Sequence, residues 1–124
     1  MGITIFIAED APLVRDRLVQ LIEEKQGMTV IGQTGSAREA GQRIVASRPD
    51  VALLDVHLQD GNAFDLLAML RQQVPATQVV LFTASPYPGY QTKARELGAC
   101  ALLDKSLLGE QLQPLLQQLA EGRA

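Results

Sequence analysis

Ile3-Thr4-Ile5-Phe6-Ile7-Ala8-Glu9-Asp10-Ala11-Pro12 opens the chain as an apolar run that stops at two acids and then a proline. The run is largely β-branched and too short for a helix, so it reads as a strand. Pro12 suits the first turn of a helix, where a missing N–H costs nothing. A strand that passes through two carboxylates straight into a helix is the first half of a β-α-β unit. Outward from it the pattern repeats. Residues 28–32, 51–54, 78–82 and 100–103 are further short apolar runs, and several are apolar nearly throughout, as expected of parallel strands covered on both faces.

Helical patterns fill the intervals. Val14, Leu18, Leu21, Ile22 and Lys25 form one stripe, with Gly27 as its predicted stop. Ser36-x-x-Glu39 is a capping box that opens a second helix, which Pro49 closes. Asn62 and Asp65 have the spacing of a cap and its third residue for the third helix, which should end before Pro75. The fourth is short, about residues 89–97, and Gly98 stops it. Leu108, Leu112, Leu115, Leu116 and Leu119 line the last. Pro114 inside that pattern predicts a late start or a kink, and residues 119–124 read as a frayed end. Five β-α pairs in 124 residues predict one α/β domain over residues 1–124, a doubly wound five-stranded parallel sheet in the common order 2-1-3-4-5.

In that order the first and third strands are neighbours and the winding reverses between them, so ligands bind outside the carboxyl ends of the strands. Glu9 and Asp10 follow the first strand, Asp55 ends the third, Thr83 ends the fourth, and Asp104 and Lys105 follow the fifth. Glu9, Asp10 and Asp55 should therefore share one crevice. Three crowded carboxylates repel, and a hard divalent ion with oxygen ligands relieves them; Mg²⁺ is the usual choice where phosphate chemistry follows. With Lys105 as a cation and Thr83 as a hydroxyl donor, the set points to phosphoryl transfer onto Asp55. Taken singly, each residue has a plainer reading: Asp10 as a cap for the helix at Pro12, Thr83 as a strand end, Lys105 as a solvated side chain. Their coincidence at one end of one sheet favours the chemical reading.

Composition narrows the field. The chain is 47% hydrophobic and 20% charged, which suits a globular domain and not a disordered one. No apolar run has the length of a membrane span, and residues 1–7 carry no signal-peptide pattern; the expected location is cytoplasmic. A single cysteine, Cys100, excludes an intramolecular disulfide, and its apolar surroundings predict a buried, inert thiol. A net charge of −3 without a basic tract argues against nucleic-acid binding by this domain alone.

The motifs Ile7-Ala8-Glu9-Asp10, Leu53-Leu54-Asp55, Leu81-Phe82-Thr83-Ala84 and the run from Gly98-Ala99 to Lys105, in this order and spacing, resemble those of bacterial two-component response regulator receiver domains. The resemblance covers nearly the whole chain and implies a flavodoxin-like fold. The run from Ala8 to Arg15 is similar to receivers that often carry a helix-turn-helix output domain. The resemblance implies that Asp55 accepts the phosphoryl group. It implies Mg²⁺ on Glu9, Asp10, Asp55 and the backbone carbonyl of His57, with Thr83 as the switch hydroxyl and Lys105 as the phosphoryl-pairing cation. The implied donor is a sensor histidine kinase or phosphotransfer protein. Output to a protein partner or output domain would use the face of the fourth helix, fifth strand and fifth helix. Such a domain is a switch that assists only its own phosphorylation and dephosphorylation, not an enzyme. Leu102 stands where the family usually has an aromatic, and Ser106, Gln59 and Ala63 where it often has Pro, Pro and Gly; Asp104 puts an acid at a usually apolar position. These departures bear on how phosphorylation reaches the output face. An alternative is a phosphorylation-independent binding module of the same fold. A flavodoxin-like cofactor binder is disfavoured because the turn at residues 8–12 is acidic and offers phosphate no backbone nest.

Overall fold

The computed structural model describes residues 2–122. Its elements are β1 (Ile3–Ala8), α1 (Pro12–Glu23), β2 (Met28–Thr34), α2 (Ala37–Ser47), β3 (Val51–Asp55), α3 (Ala63–Gln73), β4 (Gln78–Thr83), α4 (Tyr90–Glu96), β5 (Ala101–Asp104) and α5 (Leu108–Gly122). A two-residue antiparallel ladder, His57–Leu58 with Gly61–Asn62, lies between β3 and α3, and a 3₁₀ turn, Lys105–Leu107, joins β5 to α5. The five long strands are all parallel, in the order β2-β1-β3-β4-β5. This is the predicted doubly wound sheet.

Alternate strand residues feed two cores because strand side chains alternate between faces. Ile3, Ile5, Ile7, Leu53, Val80 and Phe82 pack with Leu18 and Ile22 of α1 and with Leu112 and Leu116 of α5. Phe6, Ala52, Leu54, Val79 and Leu81 pack with α2, α3 and α4 through Ile44, Leu67 and Ala94. Every residue of β3 is buried, which accounts for its unbroken apolar sequence. With α1 on one face and α2 on the other, the winding reverses between β1 and β3, which pair Ala8 with Leu54. The crevice this opens lies at Glu9 and Asp55.

The predicted caps form. Ser36 Oγ accepts from the Glu39 amide at 3.1 Å, and Asn62 Oδ1 from the Asp65 amide at 3.1 Å. Other boundaries differ from expectation. α1 stops at Glu23, before Gly27, whose φ of 90° serves the following turn. α2, by contrast, ends where predicted, with Arg48 in the left-handed region at φ 49° directly before Pro49. α5 starts without delay at Leu108 and runs through Pro114, and it stays helical past Leu119 to Gly122; the rest of the predicted fray, residues 123 and 124, lies outside the described residues. The Leu112 and Leu116 contacts on either side of Pro114 compensate for the N–H it lacks. Gln113 adds a tether, donating from Nε2 to the Leu21 carbonyl at 2.5 Å.

Candidate functional site

Glu9 extends β1 by one residue, its amide donating to the Thr34 carbonyl at 2.9 Å. That bond fixes the backbone and sends a fully buried carboxylate into the crevice. Glu9 Oε2 accepts from the Ala11 amide at 3.1 Å, at the start of α1, and Arg15 Nη1 donates to the Glu9 carbonyl at 2.8 Å. Arg15 has no role by sequence spacing alone; a cation one helical turn beyond an acid pair is the available signal. Asp55, the last residue of β3, is 4% exposed, and its Oδ1 accepts from the His57 amide at 3.1 Å. Lys105 comes in from the end of β5. Its Nζ lies 2.5 Å from Glu9 Oε1 and 3.0 Å from Asp55 Oδ2, and 5.6 Å from the centre of the Phe82 ring beneath it.

Asp10 completes an acid triad. Glu9, Asp10 and Asp55 each offer an oxygen, all within 4.8 Å of one another. Asp10 does not cap α1: the N-cap is Ala11, with no side-chain capping bond. A hydrogen bond with Glu9, partial desolvation and the Glu9 charge hold the Asp10 carboxyl above its ordinary value, against which the Lys105 charge is the weaker pull. For Lys105, burial alone would lower the ammonium, but its contacts with Glu9 and Asp55 outweigh burial and raise it. Glu9 Oε1 is buried and pairs with the Lys105 ammonium. An acidic pocket with three crowded carboxylates has the donor chemistry of a hard divalent cation.

The raised Asp10 carboxyl carries a stability consequence. The folded state binds this proton more tightly than the unfolded chain, so folding loses stability as pH rises from about 3.8 through the folded value. Asp10→Asn should therefore raise the melting temperature of the metal-free protein at pH 7 and leave it nearly unchanged at pH 3.5. Thermal melts at the two pH values check this.

Thr83 ends β4 fully buried, with its hydroxyl occupied by Ser85: it accepts from the Ser85 amide at 3.1 Å and lies 3.3 Å from the Ser85 carbonyl. The structure thus brings Glu9, Asp10, Asp55 and Lys105 together and sets Thr83 on the adjoining strand, turned to its own loop. Asp104 and Ser106 act jointly. Asp104 Oδ1 accepts from the Ser106 amide at 3.0 Å and from its hydroxyl at 2.8 Å, which fixes the turn that carries Lys105, and these bonds hold the Asp104 carboxyl below its ordinary value. Leu102 is buried, and its carbonyl accepts from Gln91 Nε2 at 2.9 Å. Cys100 corrects the expectation of a buried thiol. Its residue is exposed because it precedes β5 on the sheet's edge, although partial desolvation still pushes the thiol up. His57 is exposed on the short ladder, and its Nε2 lies 3.3 Å from Tyr90 Oη, a partner that sequence spacing offers no means to foresee.

Comparison with known proteins places this geometry. The family model described as "Response regulator receiver domain" matches residues 5–117. The DNA-binding transcriptional activator DevR/DosR of Mycobacterium tuberculosis is 32% identical over 122 residues, covering 98% of this chain and 56% of that protein. The nitrate/nitrite response regulator protein NarL of Escherichia coli K12 is 29% identical, covering 96% and 55%. The chain thus spans about half the length of these curated relatives. Among solved structures, a LuxR-family two-component response regulator from Aurantimonas sp. SI85-9A1 superposes with a TM-score of 0.89 at 27% identity, covering 98% of this chain and 87% of that one. A LuxR-family DNA-binding response regulator from Staphylococcus aureus gives 0.87 at 26%, covering 94% and 98%. No helix of the described residues is long and apolar enough to cross a membrane. With an acidic crevice at the winding reversal of a β2-β1-β3-β4-β5 sheet and a family model matching nearly its whole length, the chain belongs to the response regulator receiver domains of two-component signalling.

Proposed function

We propose that this receiver, one domain over residues 1–124, is a phosphorylation-dependent switch whose acceptor is Asp55. The observation that carries the reading is the Asp55 carboxylate itself: nearly buried at a strand end, 3.0 Å from an ammonium and sharing a crevice with two further acids. An Asp55 oxygen forms a bond to phosphorus while the donor's P–N bond breaks, and the bonding pair leaves with the imidazole nitrogen. Asp55 becomes an acyl phosphate. Lys105 transfers its pairing from Asp55 Oδ2 to a phosphoryl oxygen. The Thr83 hydroxyl, released from Ser85, donates to the same group and draws the loop after β4 with it. Glu9, Asp10, Asp55 and the backbone carbonyl of His57 would hold Mg²⁺, which when bound neutralises the phosphoryl oxygens. Attack by water on phosphorus later returns Asp55, so the domain assists only its own turnover.

The donor is a phosphohistidine on a sensor histidine kinase or phosphotransfer protein, in the cytoplasm. It must cover the mouth of the crevice. There Leu13, 83% exposed, and Val14 line an apolar groove between α1 and α5 of about 390 Å³ that reaches Lys105, continuous with the site. The signal leaves through the α4-β5-α5 face to a protein partner or output domain, and the domain itself contacts no nucleic acid and no membrane. Incubation with a small-molecule phosphodonor and Mg²⁺ should add one phosphoryl group to the intact mass. Chelation should slow the gain roughly tenfold or more. A mass unchanged under both conditions refutes the switch and favours a binding module that works without phosphorylation.

A further inference from the structure

The acid crevice has two walls. Glu9 and Asp10 form one, at the end of β1; Asp55 and the loop beyond it form the other. The first wall is backed by the turn at residues 34–36. The Glu9 amide donates to the Thr34 carbonyl at 2.9 Å, and Thr34 Oγ1 accepts from the Ser36 amide at 3.2 Å. Gly35 lies so close behind Asp10 that an added Cβ would stand 3.1 Å from the Asp10 Cα. The second wall continues as the short ladder, in which His57 pairs with Asn62 and Leu58 with Gly61, so Gln59 and Asp60 form its tip. So short a ladder has little stability of its own. It is held at both ends. At its base, the His57 amide donates to Asp55 Oδ1 at 3.1 Å. At its tip, Asp60 reaches across to the start of α2. Its Oδ2 accepts from the Ser36 hydroxyl at 2.7 Å and the Arg38 amide at 3.2 Å, and its Oδ1 accepts from the Ala37 amide at 2.6 Å. These bonds, that from the Ser36 hydroxyl first, hold the Asp60 carboxyl down at about 2 although the residue is exposed. The first amides of a helix have no partner within it, so a carboxylate from another loop is a directional anchor for them.

Resting on the switch reading above, we infer that Asp60 is a positioning residue for the divalent-cation site. It clamps the tip of the ladder to the same turn that backs Glu9 and Asp10, and so holds the two walls at one separation. Lys105 bridges Glu9 and Asp55 directly from the β5 side; Asp60 closes the frame from the α2 side. The ligand most dependent on this frame is the backbone carbonyl of His57. A carboxylate adjusts to a cation through its side-chain torsions, whereas a carbonyl moves only with its chain. Mg²⁺ demands near-octahedral oxygens at about 2.1 Å, so a carbonyl that drifts with a loose ladder is a poorer ligand. Asp60 stands outside the acid triad and touches no reacting atom. Its effect is on how much of the site is formed before the cation arrives.

The test titrates Mg²⁺ into wild type, Asp60→Ala, Asp60→Asn and Asp65→Asn, following the backbone amide resonances of Asp10, Asp55 and His57. Asp60→Ala removes the clamp and should weaken Mg²⁺ binding roughly tenfold, the low end of what residues that hold metal ligands in place are worth. Asp60→Asn removes the same charge but keeps one carbonyl oxygen for the α2 amides, so its affinity should fall between Asp60→Ala and wild type. Asp65, exposed on the first turn of α3, shares the groove between α2 and α3 with Asp60 and takes no part in the clamp. Asp65→Asn should bind within about twofold of wild type, because an exposed charge acts weakly through solvent. Without Mg²⁺, faster amide hydrogen exchange at residues 57–62 in Asp60→Ala should mark the loosened ladder. Labelling of Asp60→Ala by a small-molecule phosphodonor should return to within about twofold of the wild-type rate once Mg²⁺ exceeds the weakened Kd, since only binding has changed. Wild-type affinity in Asp60→Ala, or equal losses in Asp60→Ala, Asp60→Asn and Asp65→Asn, overturns the clamp. A wild type that takes up no phosphoryl group refutes the switch reading instead, whatever the Mg²⁺ affinities.

Discussion

Asp55→Asn should take up no phosphoryl group under conditions in which the wild type gains one. The carboxylate is the nucleophile, and an amide at the same position has no negative oxygen to offer phosphorus. Loss of labelling will not reflect loss of fold. The amide has the same shape, its oxygen still accepts from the His57 amide now 3.1 Å from Asp55 Oδ1, and Glu9 keeps Lys105 at 2.5 Å. What the variant loses in attraction to Lys105 it recovers in reduced repulsion from Glu9 and Asp10, the carboxylates within 4.8 Å. Intact mass and a thermal melt on the same samples check both halves. A variant that labels as fully as the wild type moves the acceptor elsewhere.

Lys105→Met should slow labelling by about 10²- to 10³-fold, the usual loss when one preorganised charge partner is taken from a reacting oxyanion. The ammonium sits 3.0 Å from Asp55 Oδ2, where phosphoryl oxygens would arrive, and needs no reorganisation to meet them. Stability should move as well. Removing the cation leaves Glu9 and Asp55 buried against each other. Breaking a fully buried pair costs about 3–5 kcal/mol; Lys105 is 23% exposed, so solvent screening brings the expected cost to roughly 1–2 kcal/mol at pH 7. Because the raised Lys105 group stays charged in the wild type until pH climbs past 10.5, its contribution is flat across neutral pH. Equal labelling rates would remove Lys105 from the chemistry, and an unchanged stability would remove the Coulombic account of its structural role.

Much of this site is legible in the amino-acid sequence, because strand ends are. A five-unit β-α alternation leaves few topologies, and the rule that ligands gather at the winding reversal picks out the acids at the ends of β1 and β3. Glu9, Asp10, Asp55 and Lys105 need only strand boundaries correct to a residue or so, and short apolar runs supply those. The caps at Ser36 and Asn62 are equally local, since each joins residues three apart.

Contacts between elements are not legible in this way. Pro114 predicts an interruption from local backbone chemistry, yet α5 runs on because packing of Leu112 and Leu116 against the sheet outweighs one missing backbone bond. Cys100 reads as buried from its apolar neighbours, but edge position, a property of the whole sheet, decides its exposure. Arg15 on the Glu9 carbonyl, Thr83 turned to Ser85 and the Tyr90–His57 bridge depend on side-chain directions and, for the bridge, on the distance between residues 33 apart in the chain. Periodicity and chain chirality act locally and leave little choice, so they suffice to set which strands form, their order and which charged groups share the crevice. Which of those groups touch follows instead from packing among residues that no short-range pattern connects.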